Sequence, residues 1–219
     1  MAKKNAMSRA ALLNDLYEAK ITAVVRTKTA EEAVGTAQAL YAAGIRLVEI
    51  TFTVPDAVAV IEAVAAEKPA NGLVGAGTVT TKTQAGEALA AGAQFIVGPV
   101  NRPALVAQAQ EADVPCIMAG LTPTEILDVH ESGSDMVKVF PIDSVGGPSY
   151  VKSVLGPLPG IPIVASGGIG FDNYRAYLEA GAANVALGSG LMPPSLIAAG
   201  DYDGLTAFAR RFVEELALA

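Results

Sequence analysis

The sequence predicts an α/β fold, a (β/α)8 TIM barrel with one extra helix before its first strand. Short runs of β-forming residues alternate with helix-like segments along the 219 residues, as in repeated βαβ units. Hydrophobic residues make up 52% of the chain but aromatic residues only 5%, so aliphatic side chains must fill the layers between helices and strands. Four helix-like segments end in a glycine just before a strand, namely Gly44, Gly92, Gly133 and Gly181. Glycine past a helix end forms the left-handed cap, and the resulting loops are as short as βαβ units require.

These four glycines, the glycine joints between a helix and the next strand, locate the predicted elements. The second, fourth, sixth and eighth strands each follow a joint, and the other four are the β-forming runs between them. The predicted strands are Ile21–Val25, Leu47–Thr51, Leu73–Gly77, Phe95–Val97, Cys116–Ala119, Met136–Phe140, Ile163–Ser166 and Val185–Leu187. The predicted helices are Thr29–Ala43, Asp56–Glu67, Thr81–Ala91, Arg102–Ala112, Thr124–Ser132, Asp172–Ala180 and Asp203–Ala217. The extra helix is predicted over residues 6–20.

The number of βα units sets the expected domain organisation. Eight units in 219 residues lie near the lower size limit of a TIM barrel. The sequence contains no low-complexity linker or break in composition, so we expect one domain over residues 1–219. A doubly wound open sheet is the alternative architecture.

Charge and cysteine content narrow the class of partner and the compartment. The net charge of −7 disfavours nucleic acid and anionic membrane surfaces. Cys116 is the lone cysteine, so no internal disulfide can form, and its apolar neighbours predict a buried side chain. Lys3 and Lys4 are not followed by the apolar stretch of a signal peptide, and no apolar run reaches the ~20 residues of a membrane span. We therefore expect a cytoplasmic protein that binds a small molecule rather than nucleic acid or membrane.

Lys138 lies in the middle of the predicted sixth strand, Met136–Phe140. Its apolar neighbours predict burial, and burying an unpaired ammonium costs several kcal/mol. Losing the proton relieves that cost and leaves a neutral amine, which is a nucleophile suited to forming an imine with a carbonyl. The alternative is a lysine whose ammonium reaches water at the strand end or forms a structural ion pair.

Alternation along the strands predicts which side chains face the barrel interior. The faces assigned to the interior are Leu47, Glu49 and Thr51 on the second strand, Val74, Ala76 and Thr78 on the third, and Met136, Lys138 and Phe140 on the sixth. Since catalytic groups of such barrels gather at the C-terminal ends of strands, Glu49, Thr78 and Lys138 are expected to converge in one apolar cavity. There Lys138 would form the imine and Glu49 would move protons for the later steps. The alternative is a buried Glu–Lys bridge that only holds two strands together.

Two glycine clusters follow the last two strands. Ser166–Gly170 ends the seventh strand, and Gly188–Gly190 follows the eighth. Loops at these two positions bind phosphate in barrels of this type, so we expect a phosphate or another anion there. Asp172 and Asn173 are expected to cap the next helix. The alternative is that the glycines only allow tight turns.

Other candidate sites have less support. His130 is the only histidine, which excludes a metal site built from several imidazoles, and we expect no metal. Asp143 follows the sixth strand and is expected to be a solvated loop acid, and the alternative is a metal ligand. Gly75–Gly77 lacks the third glycine and the acidic partner of a dinucleotide-binding motif.

Seven short motifs lie in order along almost the whole chain. They are Ala23–Arg26, Val48–Thr51, Val74–Val79, Lys138–Pro141, Gly147–Pro148, Ser166–Ile169 and Gly188–Ser189. In this combination the chain resembles the 2-keto-3-deoxy-6-phosphogluconate / 4-hydroxy-2-oxoglutarate (KDPG/KHG) class I aldolases. The resemblance implies reversible cleavage of a 2-keto-4-hydroxy acid into pyruvate and an aldehyde, with no cofactor besides the covalent imine. It also implies a homotrimer.

The same resemblance implies roles for individual residues. The implied roles are Lys138 as the Schiff-base lysine, Glu49 as the acid/base, Thr78 and Phe140 as contacts of the pyruvyl part, and Gly167, Gly168, Gly188 and Ser189 as the phosphate site. The expected substrate is 2-dehydro-3-deoxy-6-phosphogluconate, which would give pyruvate and glyceraldehyde 3-phosphate. The alternatives are 4-hydroxy-2-oxoglutarate and 2-dehydro-3-deoxy-6-phosphogalactonate.

The chain departs from many members of this family at a few site positions. Thr53 stands where some members carry an arginine, and Arg26 is expected to supply the guanidinium that holds the substrate carboxylate. The alternative for Arg26 is a pair with a nearby acid such as Glu49. Ser166 replaces a threonine, and Pro99 follows a glycine rather than a hydroxyl residue. Thr53, Ser166 and Pro99 complete the expected substrate-binding residues.

Two other classes of function compete with the aldolase hypothesis. A phosphosugar isomerase or epimerase would use the same phosphate loops but would need no imine. A non-catalytic barrel would have no reactive amine. Reductive trapping of an imine separates the aldolase from both.

Overall fold

The computed structural model describes residues 7–218 and contains a closed barrel of eight parallel strands. The strands pair in chain order, and β1 pairs with β8 to close the ring. The strands are β1 Ile21–Val25, β2 Leu47–Thr51, β3 Leu73–Gly77, β4 Ile96–Val97, β5 Cys116–Ala119, β6 Met136–Val139, β7 Ile163–Ser166 and β8 Asn184–Leu187. The predicted TIM barrel is confirmed, and the alternative of an open sheet is wrong.

Helices connect the strands and surround the barrel. They are α1 Arg9–Ala19, α2 Ala30–Ala42, α3 Ala57–Glu67, α4 Lys82–Ala90, α5 Pro103–Glu111, α6 Pro123–Glu131, α7 Pro148–Leu155, α8 Tyr174–Glu179, α9 Pro194–Ala198 and α10 Tyr202–Leu216, with a short 3-10 helix at Asp143–Val145. The sequence did not predict α7 and α9, which are eight and five residues long. None of the helices within residues 7–218 has the length and apolar character that crossing a membrane requires.

The extra N-terminal helix is present but shorter than predicted. It begins at Arg9, and the Ser8 hydroxyl caps it by accepting a first-turn N–H at 3.3 Å. The predicted start at residue 6, like Lys3 and Lys4, lies outside the described residues. The four glycine joints that located the strands have φ between 87° and 105°, so the left-handed caps are confirmed.

Helix α1 closes the barrel at the N-terminal ends of the strands. Its Leu12 and Leu16 pack into one apolar cluster with inward-facing side chains of the strands and of Phe95. Asn184 ties the helix to the barrel, because its amide donates to the Leu16 carbonyl at 3.0 Å and accepts from the Thr22 hydroxyl at 2.9 Å. Apolar side chains therefore fill this end, and a site can open only at the other.

The interior face predicted for β3 was wrong. Val74 and Ala76 belong to the cluster between the strands and the helices, whereas Leu73 packs inside the barrel. Alternation then places Gly75 and Gly77 on the inward face. Space explains this choice, because a Cβ on Gly75 would lie only 2.3 Å from the ring of Phe95.

Candidate active site

A cavity of about 1270 Å³ opens at the C-terminal end of the barrel. All but two of the predicted site residues line it. Those lining the cavity are Arg26, Thr78, Pro99, Lys138, Phe140, Ser166, Gly167, Gly168, Gly188 and Ser189. The two others, Glu49 and Thr53, contact Lys138 and Arg26 respectively. The structure thus brings the predicted residues together, although they come from seven strands or the segments that follow them.

Lys138 and Glu49 face each other inside the barrel. The Lys138 Nζ lies 3.9 Å from Glu49 Oε1, and the two side chains are 10% and 1% exposed. Oε1 is buried and has no hydrogen-bond partner within the described part of the chain. The centre of the Phe140 ring lies 5.9 Å from Nζ. An amine that borders the cavity is therefore held beside a carboxyl that is shielded from water.

The environment of Glu49 favours its protonated form. Burial raises the pKa of the carboxyl above its ordinary value of 4.5, and the charges of Lys138 and Arg26 oppose that effect. Gly77 makes room for this carboxyl, because a Cβ at that position would lie 1.9 Å from Oε1. A carboxyl with a raised pKa keeps its proton to higher pH than an ordinary glutamate, so it can serve as a proton donor as well as an acceptor.

Two threonines hold Arg26 at the end of β1, and a third, Thr51, supports one of them. Its Nη1 donates to Thr53 Oγ1 at 2.8 Å, and its Nη2 donates to Thr78 Oγ1 at 3.4 Å. The Thr51 hydroxyl donates to the Val25 carbonyl at 3.0 Å, so Thr53 must be the donor in its 2.8 Å contact with Thr51. Hydrogen bonds therefore run from the guanidinium through two hydroxyls to the backbone. Within residues 7–218 the guanidinium forms no ion pair with Glu49, so this alternative is not observed.

Thr78 reaches the cavity by leaving the strand geometry. It directly follows β3 and has a φ of 58°, in the left-handed region that threonine rarely adopts. This conformation interrupts the alternation of β3 and directs the hydroxyl to Arg26. Thr78 therefore lines the cavity as predicted, although β3 turns the opposite face inward.

The two glycine loops contact each other along one wall of the cavity. A Cβ on Gly190 would lie 2.1 Å from the carbonyl oxygen of Ile169, so only glycine fits there. Asn173 fixes the first loop, since its side-chain oxygen accepts from the Gly170 N–H at 2.9 Å and its amide donates to the Gly168 carbonyl at 3.0 Å. The result is a preformed turn of the kind that binds anions through backbone N–H groups.

The capping role predicted for Asp172 and Asn173 was wrong. Asn173 stands at the N-cap of α8 but makes no capping hydrogen bond with its side chain. Both polar atoms of its amide are occupied by the glycine loop. Asp172 is exposed.

Some residues that line the cavity were not predicted. Lys28 and Glu32 come from the turn and helix after β1, and Met192, Pro194, Ser195, Ile197 and Ala198 come from the segment around α9. The only sequence signal for Lys28 is its position two residues after Arg26. The α9 residues were missed because that helix was not predicted.

Two other titratable residues, Cys116 and Asp143, have the exposure that the sequence predicts. Cys116 is fully buried as predicted, and burial raises the pKa of its thiol to about 12. Asp143 is exposed, and its side chain lies against the backbone of Gly168. Over residues 7–218 no three His, Cys, Asp or Glu side chains form a cluster that could hold a metal ion.

Comparisons with known proteins agree on one family. The family model "KDPG and KHG aldolase" matches residues 12–208. The 2-dehydro-3-deoxy-phosphogluconate aldolase of Dickeya dadantii is 37% identical over 88% of this chain and 90% of its own. The KHG/KDPG aldolase of Escherichia coli is 37% identical over 89% and 91%. The KDPG aldolase of Legionella pneumophila, solved with pyruvate captured as a covalent carbinolamine, superposes with a TM-score of 0.83 at 29% identity and covers 94% of this chain and 98% of its own.

The match of the family model and the identity to curated relatives both extend over most of the chain, well beyond the residues of the cavity. The chain therefore belongs to the KDPG and KHG aldolase family of carbon–carbon lyases.

Proposed function

We propose that this enzyme is a class I aldolase that reversibly cleaves 2-dehydro-3-deoxy-6-phosphogluconate to pyruvate and glyceraldehyde 3-phosphate. The observation that carries the proposal is the Lys138 amine, which borders the cavity 3.9 Å from the buried carboxyl of Glu49. The name of the Dickeya relative supports the substrate, and the carbinolamine in the Legionella enzyme supports the covalent chemistry.

Lys138 is the proposed nucleophile. Its neutral amine attacks the C2 carbonyl of the substrate, and the carbinolamine then loses water to give an imine. The protonated imine accepts the electron pair of the C3–C4 bond as that bond breaks. C4 leaves as the aldehyde, and C1 to C3 stay on the lysine as an enamine. Protonation at C3 and hydrolysis of the imine release pyruvate and restore the amine.

Glu49 is the proposed proton carrier for these steps. As an acid it protonates the hydroxyl that leaves the carbinolamine. As a base it accepts the proton of the C4 hydroxyl while the C3–C4 bond breaks, and it can return this proton to C3. The raised pKa of its buried carboxyl suits both directions of transfer.

The other residues are proposed to orient the substrate. Arg26 binds the pyruvyl carboxylate together with Thr78, and Thr53 contributes by orienting the guanidinium that it already contacts. Phe140 packs beside the pyruvyl carbons, next to the amine. Ser166 and Pro99 complete the wall of the cavity around the reacting atoms.

The glycine loops are proposed to bind the phosphate. Gly167, Gly168, Gly188 and Ser189 lie at the ends of β7 and β8, where this class of barrel binds phosphate through backbone N–H groups. The name of the Escherichia coli relative favours 4-hydroxy-2-oxoglutarate as a second substrate, which would leave these loops empty.

Reductive trapping tests the covalent chemistry directly. Borohydride added with pyruvate should reduce the imine to a stable adduct, and peptide mapping should locate that adduct on Lys138. Lys138→Arg should abolish both the adduct and turnover while leaving the circular dichroism spectrum unchanged, because a guanidinium does not attack carbonyls. An adduct on Lys152, or none, would refute the proposal.

We further propose four general properties of this enzyme. It needs no metal ion, because the imine itself accepts the electron pair, and EDTA should leave turnover unchanged. It forms a homotrimer, which sedimentation equilibrium can test. It consists of one domain over residues 1–219 and works in the cytoplasm. The match of the family model to residues 12–208 supports the single domain.

A further inference from the structure

The turn after β1 lies next to the glycine loop after β8. The two strands are neighbours in the barrel, with Ala23 paired to Leu187. Continuing this register two residues along each strand brings Val25 level with Ser189. The turn that begins at Arg26 therefore starts beside the proposed phosphate loop, and Lys28 lines the same cavity as Ser189.

Hydrogen bonds fix the backbone of this turn. The N–H groups of Lys28 and Thr29 both donate to Glu32 Oε2, at 2.9 and 3.3 Å. The Thr27 hydroxyl donates to the Thr29 carbonyl at 2.8 Å. One oxygen of the Glu32 carboxylate is thus occupied by backbone donors, and Lys28 forms no ion pair with any described residue. An ammonium on a fixed turn is left available to a ligand.

Apart from Lys28, no side-chain cation among the described residues of the cavity is free to bind the phosphate. Arg26, Lys28 and Lys138 are the cationic residues among those that line it. In the proposed reaction Lys138 is consumed by the imine, and Arg26 binds the carboxylate. A phosphate monoester carries a charge of about −1.5 to −2 near neutral pH, and a side-chain cation strengthens its binding beyond what neutral N–H donors achieve.

We propose that Lys28 determines the preference of this aldolase for phosphorylated substrates, by pairing its ammonium with the terminal phosphate that the glycine loops hold. Lys28 contacts the phosphate from the side of β1, and the loops after β7 and β8 contact it from the other side. This inference rests on the proposed function, since it presupposes a phosphorylated 2-keto acid in the cavity.

A charge series at position 28 tests the pairing. The measured quantity is kcat/KM for a terminally phosphorylated 2-keto-4-hydroxy acid, divided by kcat/KM for the same acid without phosphate. This ratio should be kept in Lys28→Arg and should fall about 5- to 20-fold in Lys28→Gln, the size of a charge-assisted hydrogen bond discounted for exposure. It should fall further in Lys28→Glu. High salt should shrink the differences within the series, because the pair is exposed.

A matched control and a binding measurement separate this role from a structural one. Lys82→Gln removes an exposed lysine at the start of α4, also just after a strand but outside the cavity, and should leave the ratio unchanged. Glycerol 3-phosphate should inhibit turnover of the unphosphorylated acid, and its inhibition constant should rise from wild type through Lys28→Gln to Lys28→Glu.

Three results would overturn the inference. One is an equal fall of kcat/KM for both substrates in Lys28→Gln, which would mean that Lys28 only maintains the turn. The second is an unchanged ratio across the series, and the third is a wild-type enzyme with no preference for phosphate. In all three cases pyruvate would still be trapped on Lys138, whereas failure of the proposed imine chemistry would abolish that trapping.

Discussion

The two ends of the barrel are built from the same strands but contain opposite kinds of residue. On β2 the inward-facing Leu47 precedes Glu49 by two residues, and on β6 Met136 precedes Lys138 by the same spacing. Leu47 and Met136 belong to the apolar cluster that Leu16 of α1 completes. Two residues further along each strand, Glu49 and Lys138 instead place a carboxyl and an amine 3.9 Å apart. On each of these two strands, an inward-facing residue that stabilises the fold is therefore followed, two residues later, by one that belongs to the candidate active site.

This difference has an energetic consequence. Burial of the leucines and methionine at the closed end stabilises the fold. At the open end the buried Glu49 oxygen lacks a hydrogen-bond partner in the described chain, which costs free energy. We expect substitutions at the open end to change turnover and those at the closed end to change stability.

Glu49→Gln should have the largest effect. Turnover should fall by about 10²–10⁴-fold, the usual contribution of a positioned acid/base, because an amide cannot carry the proton. Pyruvate should still be trapped on Lys138 by borohydride, more slowly than in the wild type. Turnover near the wild-type rate would make Glu49 a structural residue and remove the distinction between the two ends.

The same variant should change how stability depends on pH. The native Glu49 pKa is raised above its ordinary 4.5, so the native state binds the proton more tightly than the unfolded state. This stability is present below pH 4.5 and is lost as pH rises through the folded pKa. Urea unfolding across this range should show Glu49→Gln gaining stability relative to the wild type as pH rises. A constant difference would contradict the raised pKa.

Gly77→Ala should come next. The added methyl would overlap Glu49 Oε1, so the carboxyl must move, and a displacement of about 1 Å can cost 10²-fold in rate. The matched control is Gly75→Ala, two residues earlier on the same face, where the methyl would meet the Phe95 ring instead. The control should lower the free energy of unfolding but leave kcat of the folded enzyme unchanged. Equal loss of kcat in both variants would show that the loss in Gly77→Ala does not come from displacing the Glu49 carboxyl.

Arg26→Ala should weaken pyruvate binding by about 1.5–3 kcal/mol, the value of a charge-assisted hydrogen bond. The pyruvate concentration that gives half-maximal trapping measures this loss. Arg26→Lys should show most of it, because an ammonium cannot form two parallel hydrogen bonds to a carboxylate. Adding Thr53→Arg to the alanine variant should restore part of the affinity. Unchanged trapping by Arg26→Ala would assign the carboxylate to another residue.

Leu16→Ala should have the smallest effect on turnover and a large effect on stability. Leu16 is 1% exposed within the closed end, and leucine-to-alanine changes in cores cost about 2–5 kcal/mol. Urea unfolding should show this loss, while kcat/KM of the folded enzyme should match the wild type. A large fall in kcat/KM would mean that packing at the closed end controls the geometry of the open end.

Local patterns in the sequence were sufficient for the barrel, for Glu49 and Lys138, and for the two glycine loops, whereas the resemblance to a known family supplied the other site residues. The glycine joints located the strands, and a charge within each of two apolar strands identified Glu49 and Lys138. The order of the glycine clusters after β7 and β8 placed Gly168 and Ser189 on one cavity. These features depend on residues that lie close together in the sequence, so they can be recognised from the sequence alone.

The remaining features depended on contacts between distant parts of the chain. On β3 the glycines Gly75 and Gly77 face inward, because any larger side chain at these two positions would overlap Phe95 or Glu49. Asn173 binds the glycine loop rather than capping α8 because the Gly168 and Gly170 backbone groups lie within reach. By itself the sequence determined the order of the elements and the chemical groups available to the site. Only the tertiary structure decided which face each strand turns inward and which partner each polar group binds, because those choices depend on the space and hydrogen-bonding groups that other strands provide.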